Sequence, residues 1–248
     1  MSRVDLHVKV LNDRVRQRAI NVGLDAIVYA PHFTPWPEIV ASARRYSDDQ
    51  LTVVPAREIF TGSWRDRAHV LALDLTHPVP DFISLEQTMT ALRRQDACIV
   101  VPHPSFLSMS LSSDAIRRYR ADIDAIEVYN PKFLPWHEPR ARRLAAAIDR
   151  PVYASSYAHL ASTVGQVSVD LDTAITDQRD VIEAIRDGAI DGMNIPSRLT
   201  RLPYVLGEQA HLVWENTWMK AKRVLSPGLE ATHPDSPLYD GWFERIDE

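Results

Sequence analysis

The sequence predicts an α/β protein built as a closed or nearly closed β/α barrel with an added C-terminal helix and tail. Short β-branched runs alternate with helix-like stretches along most of the chain, seven such runs follow in series, and no glycine-rich turn follows the first. Repeated β-α units with short connections imply a parallel sheet. A dinucleotide-binding sheet would carry a glycine-rich turn after its first strand, so the barrel is the better match.

Residues 4–8, 24–30, 51–55, 69–73, 97–101, 125–129 and 151–154 are the expected strands; they are mostly apolar and usually bounded by Gly, Pro or Asp, as suits strands buried on both faces. Between them, residues 15–22, 38–46, 85–94, 115–120 and 139–148 carry helical spacing. Ser84 is the expected N-cap of the third helix, with Gln87 completing a capping box. A further strand over 166–171 and a helix over 178–186, ended near Gly188, follow. Residues 196–203 read as a loop. Over 208–225, Val213, Trp214, Thr217, Trp218, Ala221, Val224 and Leu225 fall at helical spacing, predicting a terminal helix packed on the barrel. The expected division is a barrel domain over 1–190 and an extension over 191–248 packing on it.

The 248 residues are 45% hydrophobic and 25% charged, a globular composition that excludes disordered and collagenous classes. At this length a core needs no disulfide staple. The net charge of −5 argues against nucleic acid as a partner, since broad binding of that kind draws on a basic surface. The single cysteine, Cys98, lies in an apolar run and fits a buried residue in a reducing compartment. No stretch has signal-peptide character or the roughly 18 apolar residues of a membrane span. A cytoplasmic protein without membrane contact is expected.

Four of the nine histidines close or directly follow an expected strand: His7, His32, His103 and His159. Glu58 sits just beyond another. The strand ends of a β/α barrel share one rim that hosts the chemistry, so these residues are expected to converge. His69 opens its strand, and this rule does not place it. One histidine at a strand end is usually a hydrogen-bonded structural residue, but a recurring set of imidazoles and a carboxylate suits zinc, iron or manganese. No Gly-x-Ser-x-Gly elbow and no glycine-rich phosphate loop occurs.

The segments Val4-Asp5-Leu6-His7, Gly23-Leu24-Asp25-Ala26-Ile27, Val54-Pro55-Ala56-Arg57-Glu58-Ile59, Ala68-His69-Val70-Leu71-Ala72-Leu73, Pro102-His103-Pro104, Asp124-Ala125-Ile126-Glu127-Val128-Tyr129-Asn130 and Ser156-Tyr157-Ala158-His159 occur in this order. Over roughly residues 1–190 they resemble the polymerase and histidinol phosphatase (PHP) domain family. That resemblance implies a distorted seven-stranded β/α barrel holding up to three metal ions and hydrolysing phosphomonoesters or nucleotides. It implies metal ligands at His7, His32, Glu58, His69, His103 and His159, with Asp13 as an acidic ligand downstream of the first motif. Glu58, His69 and His103 would form one subsite, and His32, His159 and Asp13 another.

Two positions depart from the family pattern. Lys9 stands where the first motif has its second histidine, and Tyr157 where the late motif has an aspartate; both belong to one metal subsite, shared with His7 and Glu58. Lys9 is therefore expected either at the vacated position, paired with Glu58, or turned to solvent. Glu58, Arg57 and Lys9 are the candidate catalytic groups. Arg65, Arg67 and Tyr157 are the candidate substrate contacts, arginine being suited to clamp phosphate, although exposed turn charges would read the same way. Trp36, Phe133 and Trp136 are candidates for a pocket wall or for loop anchors.

The resemblance thus implies a metal-dependent phosphoesterase acting on a small phosphorylated substrate through metal-bound hydroxide, with one or two ions of zinc, manganese or iron. The alternative is a catalytically degenerate PHP barrel serving as a binding or assembly subunit.

Overall fold

The computed structural model of the protein describes residues 1–63, 67–104, 109–134, 136–197, 230–239 and 243. Nine strands form one sheet: β1 (Ser2–Val8), β2 (Ala26–Tyr29), β3 (Thr52–Thr61), β4 (Ala68–Leu73), β5 (Cys98–Val101), β6 (Ala125–Tyr129), β7 (Val152–Ala154), β8 (Ser168–Leu171) and β9 (Ile190–Asn194). Their order is β7-β6-β5-β4-β3-β2-β1-β8-β9. Among the described residues, six α-helices connect or flank them: α1 (Asp13–Asn21), α2 (Trp36–Tyr46), α3 (Leu85–Arg94), α4 (Ser113–Arg118), α5 (His137–Ile148) and α6 (Gln178–Arg186). Past β7 the chain returns to the end of β1: Val8 bridges Ala158 in parallel, and Lys9 N donates to Ala158 O at 2.8 Å. The sheet is a nearly closed barrel.

The architecture departs from a simple parallel barrel in three ways. First, β4 is antiparallel to both neighbours, β3 and β5. Second, β8 pairs antiparallel with β1, and β9 adds to β8 at the edge, so the strands number nine rather than seven. Asp191, Gly192 and Asn194 are poor strand formers, and β9 is held by pairing with β8 rather than by its own pattern. Third, β3 runs on to Thr61, paired with β4 from Ala56 onward. The terminal helix expected over 208–225 lies outside the described residues.

Alternation along the strands sorts the interior. Val54 and Ala56 of β3, Leu71 and Leu73 of β4, Cys98 and Val100 of β5, and Ala125 of β6 form one buried apolar cluster. Glu58, His69 and Glu127 continue the same faces at one end of the strands. On β1 a register irregularity between Asp5 and Val8 shifts the phase, as β-bulges do; Val4 and Leu6 join the apolar cluster, while His7 and Lys9 reach the polar end. The opposite faces, with Ile59, Val70, Ala72, Ile99 and Ile126, pack against Ile39 of α2, Leu92 of α3 and Leu144 of α5. Helix starts are fixed locally. Asn12 caps α1, Ser84 and Gln87 form the expected capping box on α3, and Asp177 with Asp180 forms another on α6. No helix among the described residues is long and apolar enough to cross a membrane.

Arg57 belongs to the outer face. Its Nη2 lies 3.0 Å from Asp81 Oδ2, and its Nη1 donates to Thr34 O at 3.1 Å. Asp81 also accepts from Phe60 N (2.9 Å) and Thr232 Oγ1 (2.5 Å), and its own N–H donates to Thr232 O (2.9 Å). The segment 230–239 is thereby tied to the back of β3. Arg57 is 1% exposed, so removing its counter-charge strands a buried cation. Asp81→Ala is expected to destabilise the protein by about 3–5 kcal/mol, read as a lowered urea midpoint, with Asp81→Asn less severe.

Candidate metal centre

Glu58 has no solvent exposure, and its two oxygens face different neighbours. Oε1 lies 3.1 Å from His69 Nδ1, 3.0 Å from His103 Nε2 and 3.7 Å from His7 Nε2. Oε2 lies 2.5 Å from Lys9 Nζ and 3.1 Å from His32 Nδ1. Lys9 Nζ also donates to Ala30 O at 2.6 Å, so Lys9 points into the barrel rather than to solvent. Burial alone would raise the Glu58 carboxyl, but the ammonium of Lys9 beside it holds it well below the ordinary carboxylate range. Burial pushes His7, His32 and His159 well below the usual imidazole range and lowers His69 as well.

Glu58, His69 and His103 bring one ligand atom each to within 4.8 Å of one another. His69 Nε2 and both ring nitrogens of His7 are buried without a hydrogen-bond partner among the described residues. Such atoms are costly in a folded protein unless something coordinates them. At His103, Ser110 Oγ donates to the backbone O (2.5 Å) and lies 3.2 Å from Nδ1. His103 Nε2 lies 3.0 Å from Glu58 Oε1, a contact that helps hold the carboxylate ionised. Two imidazoles and a carboxylate converging in this way fit a divalent metal.

A second cation, not anticipated from the pattern, lies beside this cluster. Lys132 is buried, and its Nζ donates to Tyr157 O at 2.5 Å and sits 2.7 Å from His159 Nδ1. The Tyr157 ring lies between the two lysines, 4.0 Å from Lys132 Nζ and 5.6 Å from Lys9 Nζ. It also packs on His7 (4.7 Å between centroids), His103 (5.2 Å) and His159 (5.0 Å). Only four of the 28 basic residues are lysines, and the two among the described residues both end here. That scarcity is the one sequence signal that could have marked Lys132.

Two further buried carboxylates hold the rim. Asp5 accepts from Ser156 N (3.0 Å), Ser156 Oγ (2.5 Å) and Gly165 N (2.9 Å). Glu127 accepts from Ser155 Oγ (2.5 Å), His103 N (2.6 Å) and Asn130 Nδ2 (2.9 Å). Burial raises both carboxyls, Asp5 to about 6. His103 and Tyr157 take left-handed backbone angles, φ 31° and 47°, a conformation that non-glycine residues hold only where surroundings enforce it.

The structure therefore brings together His7, Lys9, His32, Glu58, His69, His103, Tyr157 and His159. His69 arrives because β4 runs backwards, so the residue opening that strand lies at the rim where parallel strands end. Two expectations are corrected. Arg57 does not join Glu58, because consecutive strand residues point to opposite faces and its guanidinium is held by Asp81. Asp13 stands exposed in the first turn of α1, where it complements the helix dipole, apart from the buried cluster. Arg67 is partly buried just before β4, and Arg65 lies outside the described residues. Trp36 is buried at the start of α2, and Trp136 is 60% exposed beside His137. The aromatic wall beside the cluster is instead Phe60, 4.0 Å from His69 and 4.5 Å from Phe33, with Phe82 stacked 5.9 Å from Phe33.

Comparison with known proteins agrees with this architecture. Residues 135–190 match the family model described as PHP-associated. Among solved structures, PsfC from Pseudomonas syringae PB-5123 superposes with a TM-score of 0.62 at 18% identity, over 89% of this chain and 99% of that one. A protein from Bifidobacterium adolescentis, provisionally described as a metal-dependent phosphoesterase, gives 0.52 at 16% identity, over 76% and 96%. Endonuclease Q from Pyrococcus furiosus gives 0.58 at 15% identity, over 78% of this chain and 57% of that enzyme. No curated protein matches the sequence. The fold is that of a PHP-type β/α barrel.

The buried imidazoles have a consequence for stability. Below their ordinary value of 6.5, His7, His32, His69 and His159 take up protons in the unfolded chain before they do so in the folded one. Each therefore withdraws stability as pH falls. Asp5, Glu127 and Asp124 act oppositely, since their raised folded values favour the protonated native state, but Glu58, held well below the ordinary carboxylate range, adds to the loss on the histidines' side. Urea midpoints of the metal-free protein are expected to be lower at about pH 5.5 than at about pH 7.5.

Proposed function

We propose that the protein is a metal-dependent phosphoesterase acting on a small phosphorylated substrate. The observation that carries this reading is the buried Glu58–His69–His103 cluster, whose ligand atoms converge within 4.8 Å and in which His69 Nε2 has no hydrogen-bond partner among the described residues. Glu58 Oε1, His69 and His103 would hold the ion, with His7 at its flank. A divalent transition metal bound there supplies Lewis acidity and lowers the pKa of water toward neutrality. Zinc, manganese and iron all accept this ligand set.

The protein's own groups supply the remainder. Ser110 keeps the His103 ring in the orientation that presents Nε2 to Glu58. Lys9 keeps Glu58 ionised. His32, with 17% of its side chain exposed, is the most open member of the set and faces an arriving phosphate. Phe33, Phe60 and Phe82 line that approach, where an apolar wall limits access of water to a bound ester. Tyr157 sits at the cluster as a substrate contact, and Arg67 extends the approach toward anions.

Endonuclease Q has been solved with a 27-mer duplex substrate carrying an abasic lesion at its active site. A phosphodiester within a polynucleotide therefore belongs in the substrate screen, and the net charge of −5 is not sufficient ground to omit it. A second reading, a barrel that binds without hydrolysing, draws on Lys9 and Tyr157, since the Lys9 ammonium already neutralises Glu58 and the Tyr157 ring packs into the cluster.

Hydrolysis of a generic ester such as p-nitrophenyl phosphate, or of its bis-ester, is expected to depend on added manganese or zinc and to stop with chelator. Glu58→Gln and His69→Ala should each lower the rate by about 100-fold or more. Turnover that persists without metal, or that both variants retain, would refute the assignment.

A further inference from the structure

Resting on the metal-centre reading above, we propose that this barrel holds a single metal ion, at Glu58, His69 and His103. The Lys9 ammonium, the Lys132 ammonium and the Tyr157 ring fill the space in which further ions would otherwise bind. The argument is one of occupancy. Glu58 has two oxygens; one faces the His69–His103 pair, and the other is held by Lys9 Nζ at 2.5 Å. A second ion on Oε2 would have to displace that ammonium, which is anchored from its other side by Ala30 O at 2.6 Å.

His159 is engaged in the same manner. Lys132 Nζ lies 2.7 Å from its Nδ1 while donating to Tyr157 O at 2.5 Å. His159 Nδ1 also lies 3.1 Å from Tyr157 O, so an ion at this nitrogen would have to displace both contacts, and the fixed Lys132 ammonium opposes a second cation at the ring's other nitrogen. Between these two arrangements stands the Tyr157 ring, within 4.0–5.6 Å of both ammonium nitrogens and packed on His7, His103 and His159. Its ring occupies the volume that His7 and His159 would otherwise enclose around an ion. The two fixed ammonium charges take over the charge neutralisation that extra ions would give an anionic ligand.

The test is metal stoichiometry, read independently of activity. The full-length chain is stripped with chelator, equilibrated with manganese or zinc, desalted and measured by elemental analysis. The expected content is about one ion per chain. About two or three ions would overturn this proposal while leaving the phosphoesterase reading intact; no ion would remove both. The double change Lys9→His with Tyr157→Asp is expected to raise the content to about two ions. Asp suits the left-handed backbone at that position. A content unchanged from that of the wild type, in a variant with native circular dichroism, would contradict the role given to Lys9 and Tyr157.

Should the double variant fail to fold, Lys9→Met serves instead. Removing the like charge beside the site should tighten binding of the single ion by about tenfold or more, seen in a titration followed by free-manganese signal. Binding that is unchanged or weaker would mean that Lys9 only packs.

Discussion

A carboxylate buried at the centre of a barrel is the constraint around which the remaining structure is arranged. Glu58 has no contact with solvent, and an isolated ionised carboxylate in such a place would be strongly disfavoured. Its ionisation is maintained by Lys9 and by imidazoles converging from β1, β4 and the loops after β2 and β5. Each of those partners is itself an expensive group to bury. The cluster is therefore stable only as a unit, with the ammonium on one oxygen and a cation-seeking nitrogen pair on the other. Arrangements of this kind, poorly satisfied by protein atoms alone, belong to sites that take up an ion.

Around this centre the fold separates two kinds of work by strand parity. Residues on the inner faces end in ligands and charges, while their immediate neighbours anchor the outside. Glu58 and Arg57 are adjacent in the chain and charged in opposite senses, yet each has its own partner on its own side of the sheet. The outer partner, Asp81, joins β3 to the segment around Thr232, so the strand that supplies the central carboxylate is braced from behind. Ser110 and Glu127 do the equivalent for His103, fixing its ring and its backbone respectively.

Much of the barrel was legible because buried strands are short, apolar and spaced by helices, and because cap residues such as Ser84 act locally. The convergence of His7, His32, Glu58, His103 and His159 followed from one geometric rule about strand ends. His69 did not, since the direction of β4 is decided by its pairing with β3 and β5 rather than by its own residues. Strand β9 was hidden for a related reason, its residues being unremarkable until β8 offers an edge. Arg57 was misplaced by proximity to Glu58 in sequence, which says nothing about face, and Asp13 by a motif correspondence that says nothing about exposure. Lys132 and the phenylalanine wall depend on loop paths that leave no periodic trace, and only the scarcity of lysine pointed to the former.

The adjacent hydroxyls of Ser155 and Ser156 grip two different carboxylates, Glu127 and Asp5. One dipeptide thus joins β6 to β1, across a sequence separation of 151 in the second case. Loop closure over such a span is entropically late, and His7 and Lys9, made first at the ribosome, have to wait for it. During synthesis the nascent N-terminal half carries uncompensated ligands with no rim to hold them. A fragment ending before Ser155 would lack both the seam and the Tyr157–His159 side of the centre.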